Sequence, residues 1–301
     1  MHHPCLPAFV IRWAAVRAVF PILVTTLLGT AANADKWEKP VLGPSASGGP
    51  EILFTFDDGP DPRTTPRILE ALKAHGVQAI FFVAGWRIRS TKGKNALARR
   101  ETARQLVEAG QLIGNHTVDH VQLCQLSKEE AGHEIDENGR LLSEFARMPT
   151  IFFRIPYGAR CRTVDELLEE RGMKHLHWDL DPHDYESASI EETQEYVFER
   201  LKKLKGRAVL LLHDTHWNAA EALPGILEWI ARENDSRIRA GEAPIRILSY
   251  ADIVRERVAP GLLPLLEDGA GAIRNVAPDL ARQLLLPFAG ENHPRAAALT
   301  R

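Results

Sequence analysis

Residues 51–60 read EILFTFDDGP, and this stretch decides the fold. Ile52–Phe56 is a short run that does not alternate polar with apolar, as a strand covered on both faces requires. It breaks at once into two aspartates, a glycine and a proline, strong turn chemistry. Working outward, the same grammar repeats. Ala79–Val83, Leu112–Gly114, Ile151–Arg154, His175–Asp179, Ala208–Leu212 and Ile245–Leu248 are further strand candidates. Between them lie helix-like segments at Thr65–His75, Ala96–Ala109, Ser127 to about Phe145, Thr163–Arg171, Ile190–Leu204 and Leu223–Glu233. Gly76, Gly110 and Gly172 stop three of them, and Ser127 with Glu130 has the spacing of a capping box. Strands alternating with helices imply right-handed crossovers and parallel pairing. The expected fold is α/β, an irregular or incomplete (β/α) barrel of about seven parallel strands, with an open doubly wound sheet as the alternative. Either one puts its site at the C-terminal ends of the strands.

Composition narrows the class. The chain has 301 residues, 45% hydrophobic and 26% charged, which is ordinary globular usage and sets aside disorder, collagen and coiled coil. Lys+Arg is 37 against Asp+Glu 40, a net charge of −3. No basic excess exists to hold nucleic acid through its phosphates, so no nucleic-acid partner is expected. Three cysteines exclude a disulfide-built miniprotein and a four-Cys zinc module.

The first residues predict export. Arg12 and Arg17 precede an apolar run from Ala18 to Leu28, and Ala32-Asn33-Ala34 supplies small residues where a signal peptidase reads. The run is shorter than the roughly 20 residues that span a bilayer. Residues 1–34 read as a signal peptide, 35–50 as a Pro-, Gly- and Ser-rich linker, 51–258 as the catalytic domain and 259–301 as an extension of unknown role. A periplasmic or extracellular protein with no stable membrane insertion is the expectation.

Chemistry-bearing residues gather where strands end. Asp57 and Asp58 are adjacent acids, a poor arrangement unless a cation or shared proton offsets them. His116 and His120 are four apart and share a face if helical, so both imidazoles can reach one metal. With a carboxylate from another strand end they make the His₂-carboxylate set of catalytic zinc, which leaves a position open for water. Arg154 ends another strand; read alone it is a surface arginine beside a proline turn, and aimed at the acids it is a carboxylate clamp. Asp179 ends the next strand, with Asp181 and Asp184 after it, and His213 directly follows five apolar residues.

Together these motifs resemble those of the polysaccharide deacetylase family (carbohydrate esterase family 4, the NodB homology domain). They stand in order as TFDDGP at 55–60, HTVDH at 116–120, RIPY at 154–157, DPHDY at 181–185 and LLHD at 211–214. The resemblance covers residues 51–250. It implies Asp57 as general base and Asp58, His116 and His120 as ligands of one divalent metal, Zn²⁺ first, with Co²⁺ or another ion as alternatives. It implies Arg154 as the group orienting the base, the Tyr157 backbone N–H as oxyanion donor, and His213 as general acid tuned by Asp184. Tyr185 and Leu211 fall on the substrate-binding side; the family usually has Trp where this chain has Tyr185. The implied activity is removal of N-acetyl groups from N-acetylglucosamine-containing glycans. The alternatives are an O-acetyl esterase on xylan-like polymers and an inactive glycan-binding protein of the same fold. A zinc protease is disfavoured because H-E-x-x-H is absent.

His175, His177 and His183 read as packing or surface groups, His216 as a capping or surface residue, and Trp86 and Trp217 as sugar-stacking platforms or packing. Cys124 and Cys161 each lie four residues beyond a motif, His120 and Tyr157. A bridge between them is compatible with export, but buried free thiols are common, and two free thiols are the expectation.

Overall fold

The computed structural model describes residues 42, 44, 45, 47–146, 150–186, 189–249, 252 and 253. The expected signal peptide, most of the linker and the extension at 259–301 lie outside them. Seven strands alternate with helices as expected: β1 (Glu51–Asp57), β2 (Ile80–Val83), β3 (Leu112–Asn115), β4 (Phe152–Phe153), β5 (Lys174–His175), β6 (Arg207–His213) and β7 (Arg246–Leu248). The helices are α1 (Thr65–Ala74), α2 (Lys94–Glu108), α3 (Lys128–Leu142), α4 (Arg162–Glu170), α5 (Ile190–Lys203) and α6 (Trp217–Arg239). Every pairing is parallel, in the order β5-β4-β3-β2-β1-β6. β6 occupies one edge of β1 along its whole length; β7 and β2 share the other, pairing with residues 51–53 and 55–57.

The sheet curls until its ends meet. The chain leaves β5 after two residues and crosses to β6, where Leu180 bridges Leu210, so the strand expected over His175–Asp179 is shorter. Asp179 and Leu180 donate to the Val209 carbonyl, and Leu211 donates to the Leu180 carbonyl. The result is the irregular barrel and not the open sheet.

Alternation within the strands sorts two apolar layers. Ile52, Phe54, Phe56, Phe81, Val83, Leu210 and Leu212 face the helices. Leu53, Ile80, Phe82, Phe152, Leu176, Val209 and Leu248 fill the barrel interior. These burials, at about 1.5–3 kcal/mol per large side chain, are the principal favourable contribution to folding.

Local signals work largely as written. Ser127 and Glu130 form the reciprocal capping box that opens α3; Ser189 and Glu192 do the same for α5. The last helix differs from expectation. The helix expected over Leu223–Glu233 is longer: α6 begins at Trp217 and passes through Pro224. Buried Ala219, Ala220, Ala222 and Leu223 pack the earlier turns on the core, and that packing overrides the propensity cost. The linker's end is also held: Pro50 is buried and its carbonyl accepts from the Arg246 N–H at 2.9 Å.

Candidate active site

Cross-strand register stacks the interior of β1 and β6 in steps. Leu53 pairs with Val209, Thr55 with Leu211 and Asp57 with His213. The interior is therefore apolar below, mixed in the middle and ionisable at the C-terminal mouth. Leu211 belongs to the middle step, 2% exposed, on the same face of β6 as His213.

Arg154 is a fully buried side chain inside the barrel, which excludes the surface reading. Its Nη1 donates to Asp57 Oδ1 and to Thr55 Oγ1, both at 2.8 Å. Its Nε donates to the Leu176 carbonyl at 2.8 Å and its Nη2 to the His177 carbonyl at 3.3 Å. The guanidinium also lies 4.2 Å over the Phe82 ring. A planar fork with several fixed donors suits this arrangement; an ammonium group has too few directed donors to reproduce it.

Asp58, His116 and His120 offer ligand atoms that lie within 4.8 Å of one another. Asp58 Oδ1 is 3.4 Å from His116 Nε2 and 3.3 Å from His120 Nε2. That oxygen is buried without a hydrogen-bond partner. An orphaned carboxylate oxygen facing two imidazole nitrogens fits a cation. His116 Nδ1 meets the Arg154 carbonyl at 2.8 Å, a bond that leaves Nε2 aimed at the group. Burial pushes the Asp58 carboxyl up, but the adjacent imidazoles of His116 and His120 hold it well below the usual carboxylate range. Positive φ at Asp58 (72°), Thr117 (63°) and His120 (54°) marks the backbone contortion that brings these side chains together.

On the opposite side, Asp184 is fully buried and holds His213 twice. Its Oδ1 is 2.9 Å from His213 Nδ1, and its Oδ2 accepts the His213 backbone N–H at 2.8 Å. Burial alone would lower the imidazole pKa; Asp184 outweighs it and raises the value to about 9. The Tyr185 ring stands edge-on to His213 at 4.7 Å between centroids. Its hydroxyl meets His183 Nδ1 at 2.9 Å. Tyr157, with φ of 60°, is exposed at the rim, its ring 4.7 Å from that of His120.

Three contributors escaped the sequence reading. Thr55 Oγ1 links Arg154 to the Leu210 carbonyl. Arg87 Nε donates to the Asp58 carbonyl at 3.0 Å. Asp214 is buried beneath the aspartate turn, where Thr65 Oγ1 donates to its Oδ2 at 2.6 Å. Burial raises its pKa to about 7. A Cβ on Gly59 would sit 2.1 Å from the Asp214 carboxylate oxygens, so the turn has room only for glycine. The signal for Asp214 was its place in LLHD, but nothing local distinguishes it from a solvated acid.

Of the remaining histidines, His175 and His177 are partly buried and hold pKa values of about 3 and 4, lowered first by burial, while His183 is exposed. His216 takes the N-cap position of α6, but its side chain makes no capping bond. Trp217 is 44% exposed, with Arg67 5.0 Å from its ring centroid. Over Trp86 lie two guanidiniums, Arg87 at 4.1 Å and Arg99 at 5.5 Å.

The free-thiol expectation is overturned. Cys124 and Cys161 form a disulfide, 37 residues apart in sequence with Cα atoms 5.9 Å apart. The parallel β3 and β4 place their following loops side by side, within the separation a bridge needs. It ties the loop after His120 to the segment after Tyr157.

Comparison with known proteins is consistent with this arrangement. The polysaccharide deacetylase family profile matches residues 45–176. The chitooligosaccharide deacetylase of Azorhizobium caulinodans is 32% identical over 164 residues, covering 54% of this chain and 73% of that protein. A peptidoglycan-N-acetylglucosamine deacetylase of Bacillus cereus is 30% identical over 165 residues, covering 54% and 72%. Among solved structures, a family 4 carbohydrate esterase from Streptomyces lividans in complex with acetate superposes with a TM-score of 0.53 at 27% identity. It covers 61% of this chain and 89% of that one.

Proposed function

From the premise that this chain belongs to the polysaccharide deacetylase family, we propose that it is a metal-dependent hydrolase removing N-acetyl groups from N-acetylglucosamine-containing glycans, of the chitooligosaccharide or peptidoglycan type. The observation that carries the reading is the orphaned Asp58 oxygen between two imidazoles, beside a second acid and opposite a carboxylate-held histidine.

Asp58, His116 and His120 are the proposed ligands, and Zn²⁺ the proposed ion. When bound, such an ion lowers the pKa of a coordinated water towards about 7 and polarises an acyl oxygen. Asp57 takes a proton from the attacking water. Arg154 supports that role by keeping the carboxylate oriented from inside the barrel, which leaves Oδ2 facing the mouth. The Tyr157 backbone N–H is the proposed donor to the developing negative oxygen. His213, charged at neutral pH because of Asp184, delivers its proton to the departing amine. Tyr185 and Leu211 border the acyl side of the pocket.

Export through residues 1–34 belongs to the same proposal, and amino-terminal sequencing of the mature protein, expected to begin at Asp35, tests it. The activity is tested by acetate release from acetylated chitooligosaccharide, peptidoglycan and acetylxylan side by side. Release from the first two is expected. Preferential release from acetylxylan would favour the ester-cleaving alternative, and no release from any of them by metal-loaded protein would overturn the reading.

A further inference from the structure

Residues 86–100 read WRIRSTKGKNALARR, six basic residues and no acid in a chain whose acids outnumber its bases. The stretch runs from the end of β2 into α2, at the mouth of the barrel. Its start is held beside the metal group by three hydrogen bonds. Gly85 and Trp86 N–H groups donate to the Thr117 and Val118 carbonyls at 2.9 and 2.6 Å, and Arg87 Nε reaches the Asp58 carbonyl.

Half of these six basic residues lack a carboxylate partner among the described residues. Arg89 pairs with Asp119 at 2.6 Å, Arg100 with Glu144, and Arg87 lies 3.9 Å from Asp61. Lys92, Lys94 and Arg99 have no carboxylate partner among the described residues. Lys92 and Lys94 are exposed. Arg87 and Arg99 converge on one face-bearing ring, Trp86, although like charges repel. Gathering cations in this way beside a cleft is unfavourable until an anion shares the space. Beside His213 stand the acids Asp181 and Asp184 instead, so the basic stretch after β2 forms one flank of the mouth.

We infer that this flank is a subsite for negatively charged groups on the glycan, and that the substrate is an N-acetylated polymer carrying carboxylates along its length, not a neutral one. The inference rests on the deacetylase reading and chooses between the two glycan types it admits. A neutral chain of N-acetylglucosamine offers these cations no partner. A glycan with a carboxylate on neighbouring sugars places one beside the basic flank while an acetyl group occupies the site. Nucleic acid would meet the same cations but carries no N-acetyl group for the proposed site.

The test compares two soluble polymers with the same N-acetylglucosamine backbone, neutral glycol chitin and anionic carboxymethyl chitin. Three exposed ion pairs correspond to roughly 3- to 100-fold in affinity at low ionic strength. KM for carboxymethyl chitin is expected to be lower by at least about threefold, with the advantage shrinking towards unity at about 1 M salt, where screening acts within about 3 Å. In a Lys92→Glu/Lys94→Glu variant the ratio of kcat/KM for the two polymers is expected to fall to unity or below. Equal KM values, a preference indifferent to salt, or a preference that survives the charge reversal would each overturn the inference while leaving deacetylation intact. Tighter adsorption of carboxymethyl chitin without any gain in kcat/KM would overturn it as well. Failure to deacetylate either polymer would instead remove the parent reading. Should the double variant fold poorly, the salt series on the wild-type protein decides alone.

Discussion

Asp57 and His213 are register partners at the ends of adjacent parallel strands, and the barrel gives them opposite supports. A buried guanidinium grips the aspartate from below, and a buried carboxylate grips the histidine from the side. That pairing suits the proposed division of labour, in which Asp57 takes a proton and His213 gives one up.

The histidine's support has a definite pH signature. Its pKa in the fold is about 9, above the ordinary imidazole value, so the stabilisation it brings is fully present below about 6.5 and lost as pH rises through about 9. Activity that needs the protonated form should decline over the same alkaline range. In Asp184→Asn the decline is expected to move towards neutrality by at least about one unit. A kcat/KM profile with an unshifted alkaline limb would exclude His213 as the acid.

Arg154 is worth most as a partner. Arg154→Met leaves the Asp57 charge buried and unpaired, a change that typically costs about 3–5 kcal/mol. Urea denaturation should show that loss, with kcat falling at least about 10²-fold because the base is misplaced. Arg154→Lys should recover little of it. Full activity in either variant would contradict the clamp.

Metal content separates ligands from proton carriers. His120→Ala should lose bound metal and activity together, whereas Asp57→Asn and His213→Ala should retain metal while kcat drops by roughly 10²–10⁴. Elemental analysis beside turnover measures both. Loss of metal in His213→Ala would make that histidine a ligand and require the roles to be redrawn.

The disulfide closes a loop between residues 37 apart, so its removal in Cys124→Ser/Cys161→Ser should cost about 3–4 kcal/mol by chain entropy. Thiol titration of the unfolded, unreduced mature protein is expected to find no reactive thiol. Two reactive thiols would refute the bridge.

Gly59→Ala probes the turn beneath the acids. The new methyl would meet the Asp214 carboxylate at 2.1 Å, and overpacking of this kind typically costs about 1–3 kcal/mol. A lower melting temperature is expected, together with weaker metal retention as the Asp58 backbone shifts. An unchanged melting curve would show that Asp214 yields freely.

The sequence alone determined the alternation of strand and helix, the parallel sheet, and the strand ends that bear the acids and histidines. It could do so because hydrophobic period, capping boxes and glycine stops act over a few residues. The family motifs added which of those residues belong together. Tertiary structure alone decided the rest. Arg154 beside a proline turn reads locally as a surface residue; only closure of the barrel through Leu180 and Leu210 buries it beneath Asp57. Cys124 and Cys161 read as separate thiols until β3 and β4 lie side by side. The last helix reads as Leu223–Glu233 until the turns before Leu223 are packed on the core. In each case the deciding contact joins residues far apart in sequence, and its energy depends on burial and distance that no local pattern encodes.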